Sequence, residues 1–319
     1  MIVACSNDYL GLARHPEVVA AATGGGAGSS RLISGDRPIH RALEAELEAL
    51  FGRPALVFPT GYQANLAVFS TVCAAGETIA SDALNHASII DGLRLSKARR
   101  VVVPHAEPGA IPEDVDLIAV ESLYSMDGDL APLAAYPQRP LLAVDEAHAF
   151  GCMGPGGRGA AAMMGLQPDI LIGTFGKAIG SAGAFVVGPP ELRDLLINAG
   201  RSFIFTTAMA ESVAAQALAG LRIAKRSDAR RQRLADNAAR LRTGLTDLGW
   251  QPLGAAHIVP VVVGPRVMEH AARLLDAGVL APGIRWPTVP EGEERIRLTV
   301  SSEHTADQID RILDALGGA

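Results

Sequence analysis

Between about residues 55 and 190, seven short aliphatic runs recur: Ala55–Pro59, Thr78–Ser81, Arg100–Val103, Leu117–Glu121, Leu141–Asp145, Ile170–Thr174 and Gly183–Val187. Helix-patterned segments separate them. Apolar strands joined by crossovers predict a mostly parallel α/β sheet covered on both faces. A sheet of that kind binds its ligands at the carboxyl ends of its strands. The residues with chemical potential fall at such ends: Thr60 after the first run, Asp145 closing the fifth, Lys177 after the sixth.

The flanks have a different texture. Asp36 and Pro38 open a helix in which Ile39, Leu43, Leu47 and Leu50 repeat at spacings of four, four and three, and Gly52 ends it. Past residue 225, Leu234, Ala238, Leu241, Leu245 and Leu248 predict a long amphipathic helix stopped by Gly249. Strand-like runs follow near Ile258–Val263 and Arg295–Val300, with helices near 268–277 and 305–316, which together read as a small α+β domain. A length of 319 residues exceeds the usual size of one hydrophobic core. The division expected is therefore a short N-terminal piece over 1–12, a large α/β domain over 13–228 and a smaller α+β domain over 229–319. Gly24–Ser30 is a small-residue stretch suited to a close backbone approach.

Composition excludes several classes. The hydrophobic share of 49% supports a large core, and a net charge of −6 with interspersed signs gives no footprint for nucleic acid or an anionic membrane. Cys5, Cys73 and Cys152 are far apart, in no metal-ligand or disulfide spacing, so no metal is expected. No run approaches the roughly 18 apolar residues of a membrane span, and the first residues lack a signal pattern. A soluble, cytoplasmic protein is expected.

Lys177 lies between Gly176 and Gly180 after an apolar strand, a setting that suits a Schiff base with a carbonyl compound. Asp145 ends an earlier strand, where a buried carboxylate suits the cation of a pyridinium ring and makes that ring an electron sink. Together they point to pyridoxal phosphate (PLP). Each alone reads equally as a turn lysine and a helix-capping aspartate. Thr60-Gly61-Tyr62 marks a strand giving way to a helix, where free N–H groups and a hydroxyl suit a phosphate; an ordinary N-cap is the alternative. Thr206 and Thr207 would add hydroxyls. His86 could lay its ring over a flat cofactor or simply cap a helix with Ser88. His148, three residues after Asp145, could reach a phenolic oxygen or orient a neighbour, and Ser125 could bond similarly beside the Asp127-Gly128 turn. Arg285, amid prolines and apolar residues, could clamp a carboxylate or be a solvated surface cation.

These segments, in order, resemble the α-oxoamine synthase family of fold-type I PLP-dependent enzymes. The matching runs are Ser6–Gly11, Gly28–Gly35, His40–Glu44, Thr60–Tyr62, Asn85–Ser88, Ser125–Asp129, Asp145–His148, Thr174–Lys177 and Pro287–Pro290. The resemblance implies an aspartate aminotransferase-like α/β transferase with a mostly parallel central sheet and a smaller C-terminal α+β domain. By it, Lys177 carries the Schiff base, Asp145 pairs with the pyridinium and His86 stacks on the ring, while His148 and Ser125 contact the phenolic oxygen. Thr60, Gly61, Tyr62 and Thr174 lie near the cofactor. Thr206 and Thr207 reach the phosphate from a neighbouring subunit of a homodimer, and Asn7 and Arg285 contact the amino-acid substrate.

The implied reaction is decarboxylative condensation of an amino acid, L-alanine favoured, with an acyl thioester on coenzyme A or acyl carrier protein. The Ile284–Pro290 run favours the family members that use a pimeloyl thioester in biotin biosynthesis. Sister activities take glycine with acetyl-, succinyl- or long acyl-coenzyme A. Aminotransferases and decarboxylases share the fold, and an inactive chain is a further alternative. The chain begins five residues before Ser6, where family members usually carry a few dozen more. The stretches around 106–116 and 134–140 are short for the family, and Trp286 stands where proline is usual.

Overall fold

A computed structural model describes residues 1–317. In chain order the strands are β1 (Ile2–Val3), β2 (Ala55–Phe58), β3 (Thr78–Asp82), β4 (Arg99–Val103), β5 (Leu117–Glu121), β6 (Leu141–Asp145), β7 (Ile170–Thr174), β8 (Ala184–Val187), β9 (Ile258–Val262), β10 (Val279–Leu280), β11 (Gly283–Ile284) and β12 (Arg295–Thr299). The principal helices are α1 (Pro38–Phe51), α2 (Gly61–Thr71), α3 (Ala87–Leu95), α4 (Pro190–Ala199), α5 (Glu211–Lys225), α6 (Asp228–Asp247), α7 (Val267–Asp276) and α8 (Ala306–Gly317). Among the described residues, no helix is long and apolar enough to cross a membrane.

Two compact units divide the chain. One comprises residues 12–123 and 131–226, the other 1–11, 124–130 and 227–319. The larger unit holds a seven-stranded sheet in the order β2-β8-β7-β6-β5-β3-β4. All of its pairings are parallel except those of β8, which runs antiparallel to both β2 and β7. Strands β2, β3, β5 and β8 are buried throughout; β2, β5 and β8 accordingly read as near-continuous apolar runs, whereas β3 buries Thr78, Ser81 and Asp82 as well. Leu56, Phe58, Val68, Phe69, Leu117 and Ile172 belong to one core between the sheet and its helices. The carboxyl ends of β3, β5, β6 and β7 bring Asp82, Glu121, Asp145 and Thr174 to one edge of the sheet.

Helix α1 shows how a sequence pattern and packing diverge. Its buried positions are His40, Leu43, Glu44 and Leu47, while Ile39 and Leu50 remain half-exposed. Glu44 is tolerated there because Arg31 grips it bidentately, at 3.0 and 3.2 Å, and the Val57 amide donates to it at 3.0 Å. Gly52 ends the helix in the left-handed region, at φ +71°. The Gly24–Ser30 stretch lies against the chain near residues 208–211: the carbonyls of Gly25 and Ser29 accept from the amides of Glu211 and Ala208.

In the smaller unit, β12 lies between β11 and β9 in an antiparallel sheet, and β1 pairs in parallel with β10. That pairing places residues 1–11 with the C-terminal segment rather than apart from it. Residues 124–130 also belong here, outside the boundaries expected from sequence. Two arginines hold them: Arg295, buried on β12, donates to the carboxylates of Asp127 and Glu293, and Arg297 donates to the Ser125 carbonyl at 2.5 Å. On α6, Leu234, Ala238, Leu241 and Leu245 face inward as their spacing requires, but Leu248 is exposed at the C-cap.

Candidate active site

At the carboxyl end of β6, Asp145 is buried and its two oxygens are separately held. Oδ1 accepts from the Ala147 amide at 2.8 Å, and Oδ2 accepts from Asn65 Nδ2 at 2.8 Å. Asn65 projects from α2, and its second Nδ2 hydrogen goes to Ser88 Oγ at 2.9 Å. Reversing the amide would set its oxygen against the carboxylate, so the orientation is determined by charge. Ser88 Oγ is then free to donate to His86 Nδ1, 2.7 Å away, and the Ser88 amide also points at Nδ1. Nδ1 is therefore the acceptor, and neutral His86 carries its proton on Nε2. Desolvation lowers the His86 pKa, Asp145 opposes the shift, and Lys177 adds to it.

The capping that the sequence allowed for His86 is present. His86 is the N-cap of α3, and its ring lies within electrostatic reach of Asp145 and Lys177. Its backbone amide donates to Glu121 Oε1 at 2.6 Å. Glu121 closes β5 in register opposite Asp145, is fully enclosed, and has its pKa pushed up to about 8 by burial and then by Asp145, with Lys177 working the other way.

Lys177 sits in the turn between β7 and β8. Buried Phe175, Ala178 and Ile179 anchor that turn, while Lys177 itself is half-exposed. Gly180 donates to the Lys177 carbonyl at 3.0 Å with φ +74°, and a Cβ there would lie 2.3 Å from the Ala13 nitrogen. Only glycine fits. Thr174 Oγ1 donates to the Gly183 carbonyl at 2.9 Å and accepts from the Gly176 amide at 3.1 Å, bracing both arms of the turn. The chain has only three lysines, Lys97, Lys177 and Lys225, and the last is bound to Glu46 at 2.5 Å.

Thr60 caps α2, its Oγ1 accepting from the Gln63 amide at 3.1 Å, so the capping alternative holds locally. Gly61 and Tyr62 occupy the first turn, where amides have no intrahelical partner. Tyr62 is exposed and its hydroxyl bonds Asp91. Gln63 Nε2 donates to Thr206 Oγ1 at 3.0 Å, bringing Thr206 beside the same helix start within one chain, while Thr207 is exposed. His148 is buried one turn after Asp145. The intervening Glu146 serves the scaffold instead. Ser122 Oγ and the Ala160 and Ala161 amides bond its carboxylate at 2.6–2.9 Å, tying down the start of a short helix.

The remaining three candidates belong to the smaller unit. Asn7 Oδ1 accepts from the Tyr9 hydroxyl at 2.9 Å and from Arg297 Nη2 at 3.5 Å. Because Arg297 also bonds the Ser125 carbonyl, it joins Asn7 to Ser125. Arg285 is exposed after β11, its carbonyl accepting from the Thr288 amide at 3.0 Å. Sequence reasoning does not single out Asn65, Glu121 or Arg297, and reaches Ser88 only as a capping partner of His86. Asn65 and Glu121 left one signal each, a lone amide on the buried side of an apolar helix and an acid closing an apolar strand.

A primary amine, a buried carboxylate, a neutral imidazole and a helix start with free amides suit a flat aromatic carbonyl compound bearing a ring nitrogen and an anionic tail. Residues 1–316 match the model of the family described as aminotransferase class I and II, and the chain belongs to that family. Within it, the chain is an α-oxoamine synthase homologue. It is 42% identical to 8-amino-7-oxononanoate synthase of Halorhodospira halophila, over 99% of this chain and 85% of that one. Among solved structures it is similar to a serine palmitoyltransferase (SPT) with a PLP internal aldimine, with TM-score 0.94, 33% identity, and coverage of 99% and 86%. It is also similar to 8-amino-7-oxononanoate synthase from Francisella tularensis, with TM-score 0.87, 25% identity, and coverage of 100% and 97%.

Proposed function

We propose that this chain is a PLP-dependent C-acyltransferase that condenses L-alanine with a pimeloyl thioester, releasing carbon dioxide and the thiol and yielding 8-amino-7-oxononanoate for biotin synthesis. The observation that carries this reading is Asp145, buried and doubly hydrogen-bonded, in one unit with Lys177 and a neutral His86. The donor set fits PLP: Asp145 offers an anion to a ring nitrogen, and His86 offers a flat face with its proton on Nε2. Thr60 and the first amides of α2 offer donors to a phosphate, with Thr206 and Thr207 reaching it from the second copy.

When bound, PLP supplies an electron sink that stabilises negative charge at the amino-acid Cα. The protein's residues do the rest. Lys177 Nζ holds the cofactor between turnovers and takes the substrate α-proton once freed. Asp145 keeps the ring nitrogen protonated, and His148 with Ser125 serves the phenolic oxygen. Asn7 and Arg285 contact the amino acid. The relatives named 8-amino-7-oxononanoate synthase support alanine and a pimeloyl group, on coenzyme A or acyl carrier protein. A sister reading with serine or glycine and another acyl group is favoured only by the SPT likeness, at lower identity.

A homodimer is part of this reading. Phe205 is 70% and Leu95 66% exposed, and both line an apolar groove of about 830 Å³ with Leu66, next to Thr206. Such a surface supports burial against a second copy.

A product assay by mass spectrometry tests the proposal, with L-alanine and glycine offered together against pimeloyl-, acetyl-, succinyl- and palmitoyl-coenzyme A. The expected product is the alanine–pimeloyl condensate less carbon dioxide. A different amino ketone would remove the biotin assignment, and turnover of the amino acid without any thioester would remove acyl transfer.

A further inference from the structure

Two carboxyl groups stand side by side beneath the proposed ring site, and only one of them has a use for its charge. Glu121 and Asp145 end adjacent parallel strands and are register partners, so their side chains leave the same face of the sheet. Asp145 has two neutral donors and, when PLP is bound, a cationic partner. Glu121 has one identified donor, the His86 amide on Oε1, and is enclosed by protein. Two anions on neighbouring strand ends away from water repel each other, and the second carboxyl of such a pair keeps its proton.

The charged and titratable groups around Glu121 agree with that division. Asp145 on β6 and Asp82 at the end of β3 both disfavour an anion at Glu121, whereas Lys177 favours one. His86 presents an amide, and its ring is held neutral. Asp82 has its own partners, the Leu84 and Ala106 amides and the His105 ring, so its charge is engaged elsewhere.

We propose that Glu121 is a positioning residue working as a neutral acid: its Oε1 fixes the His86 amide, and its retained proton leaves Asp145 as the sole anion reserved for the ring nitrogen. The role given to Asp145 rests on the PLP reading above. The protonation of Glu121 itself does not, because it follows from the strand register in the apoprotein as well.

The test is isotope-edited infrared spectroscopy of apoprotein and PLP-loaded protein at pH 7, comparing wild type, Glu121→Gln and Glu121→Leu, with PLP affinity measured alongside. In wild type, a protonated-carboxyl C=O band is expected that disappears in Glu121→Gln, leaving at most a band from Glu146, the other buried acid with a raised pKa. Glu121→Gln keeps a neutral acceptor for the His86 amide, so PLP affinity stays close to wild type. Glu121→Leu removes that acceptor and lowers affinity by about tenfold. Absence of the Glu121 band in both forms would overturn the proposal even if PLP binds normally. Equal loss of affinity in the Gln and Leu variants would overturn it too, since the anion and not the acceptor would then matter. Failure of PLP to bind with the band intact would count against the cofactor reading instead.

Discussion

Replacing Asn65 with alanine isolates the contact on which the proposed cofactor site most depends. Asn65 Nδ2 lies 2.8 Å from Asp145 Oδ2 and supplies one of two identified hydrogen bonds to that carboxylate. A hydrogen bond to a charged group contributes about 1.5–3 kcal/mol. Its loss leaves Oδ2 without its identified side-chain donor and lets the carboxylate turn away from a ring nitrogen, at a cost of the same order. PLP affinity should therefore fall about 10- to 100-fold. The fold should survive, because Asn65→Ala also removes a buried Oδ1 that has no hydrogen-bond partner among the described residues. Absorbance titration of apoprotein with PLP reads the affinity, and circular dichroism reads the fold. Ser88→Ala is the control: it leaves the Asn65–Asp145 bond in place and should cost far less affinity. An Asn65→Ala protein that binds PLP like wild type would refute the claim that this amide secures Asp145.

Asp145→Asn should still bind PLP yet turn over at least about a hundredfold more slowly, the scale of about 3 kcal/mol of lost charge stabilisation; a steady-state rate equal to wild type would mean another group protonates the ring. Glu44→Ala removes the bidentate partner of Arg31, which keeps Asp36 at 2.7 Å, and should cost about 1–3 kcal/mol in denaturant unfolding, whereas Glu44→Gln retains an acceptor for the Val57 amide and should cost less. Glu121, whose pKa rises from 4.5 to about 8 on folding, binds its proton more tightly in the native state. Its contribution to stability is complete below pH 4.5 and is lost as pH rises through about 8. Thermal unfolding should accordingly show Glu121→Gln gaining on wild type as pH rises through that window, and a pH-independent difference between them would contradict the raised pKa.

The fold was legible where burial alone dictates the residue. The seven strands of the large sheet fall within a residue or two of their apolar runs; the covered strands admit little else, while the largely exposed β4 was marked by its three valines. Helix α6 was legible from its alternating spacings of four and three, although Leu248 at its C-cap is left exposed. What escaped was non-local. Residues 1–11 join the C-terminal unit through pairing of Ile2 with Val279, and 124–130 join it through Arg295 and Arg297, partners about 170 residues away in sequence. No periodicity encodes such contacts. The site divides similarly. Lys177, Asp145, His86 and Thr60 announced themselves at strand ends and helix starts, whereas Asn65, Ser88 and Glu121 are small polar groups whose importance arises only when α2, α3, β5 and β6 are set together. Glu146 illustrates the converse: it lies inside the Asp-Glu-Ala-His run yet ties down the chain at Ala160 and Ala161.

The central claim is that Lys177 is the group to which PLP is joined. Borohydride reduction of the loaded protein, followed by peptide mass mapping, tests it directly, because the chain offers only Lys97, Lys177 and Lys225 as side-chain amines. The pyridoxyl group should be found on the Lys177 peptide alone, and Lys177→Ala should yield no labelled peptide. Label on Lys97 or Lys225, or stable label persisting in Lys177→Ala, would contradict it.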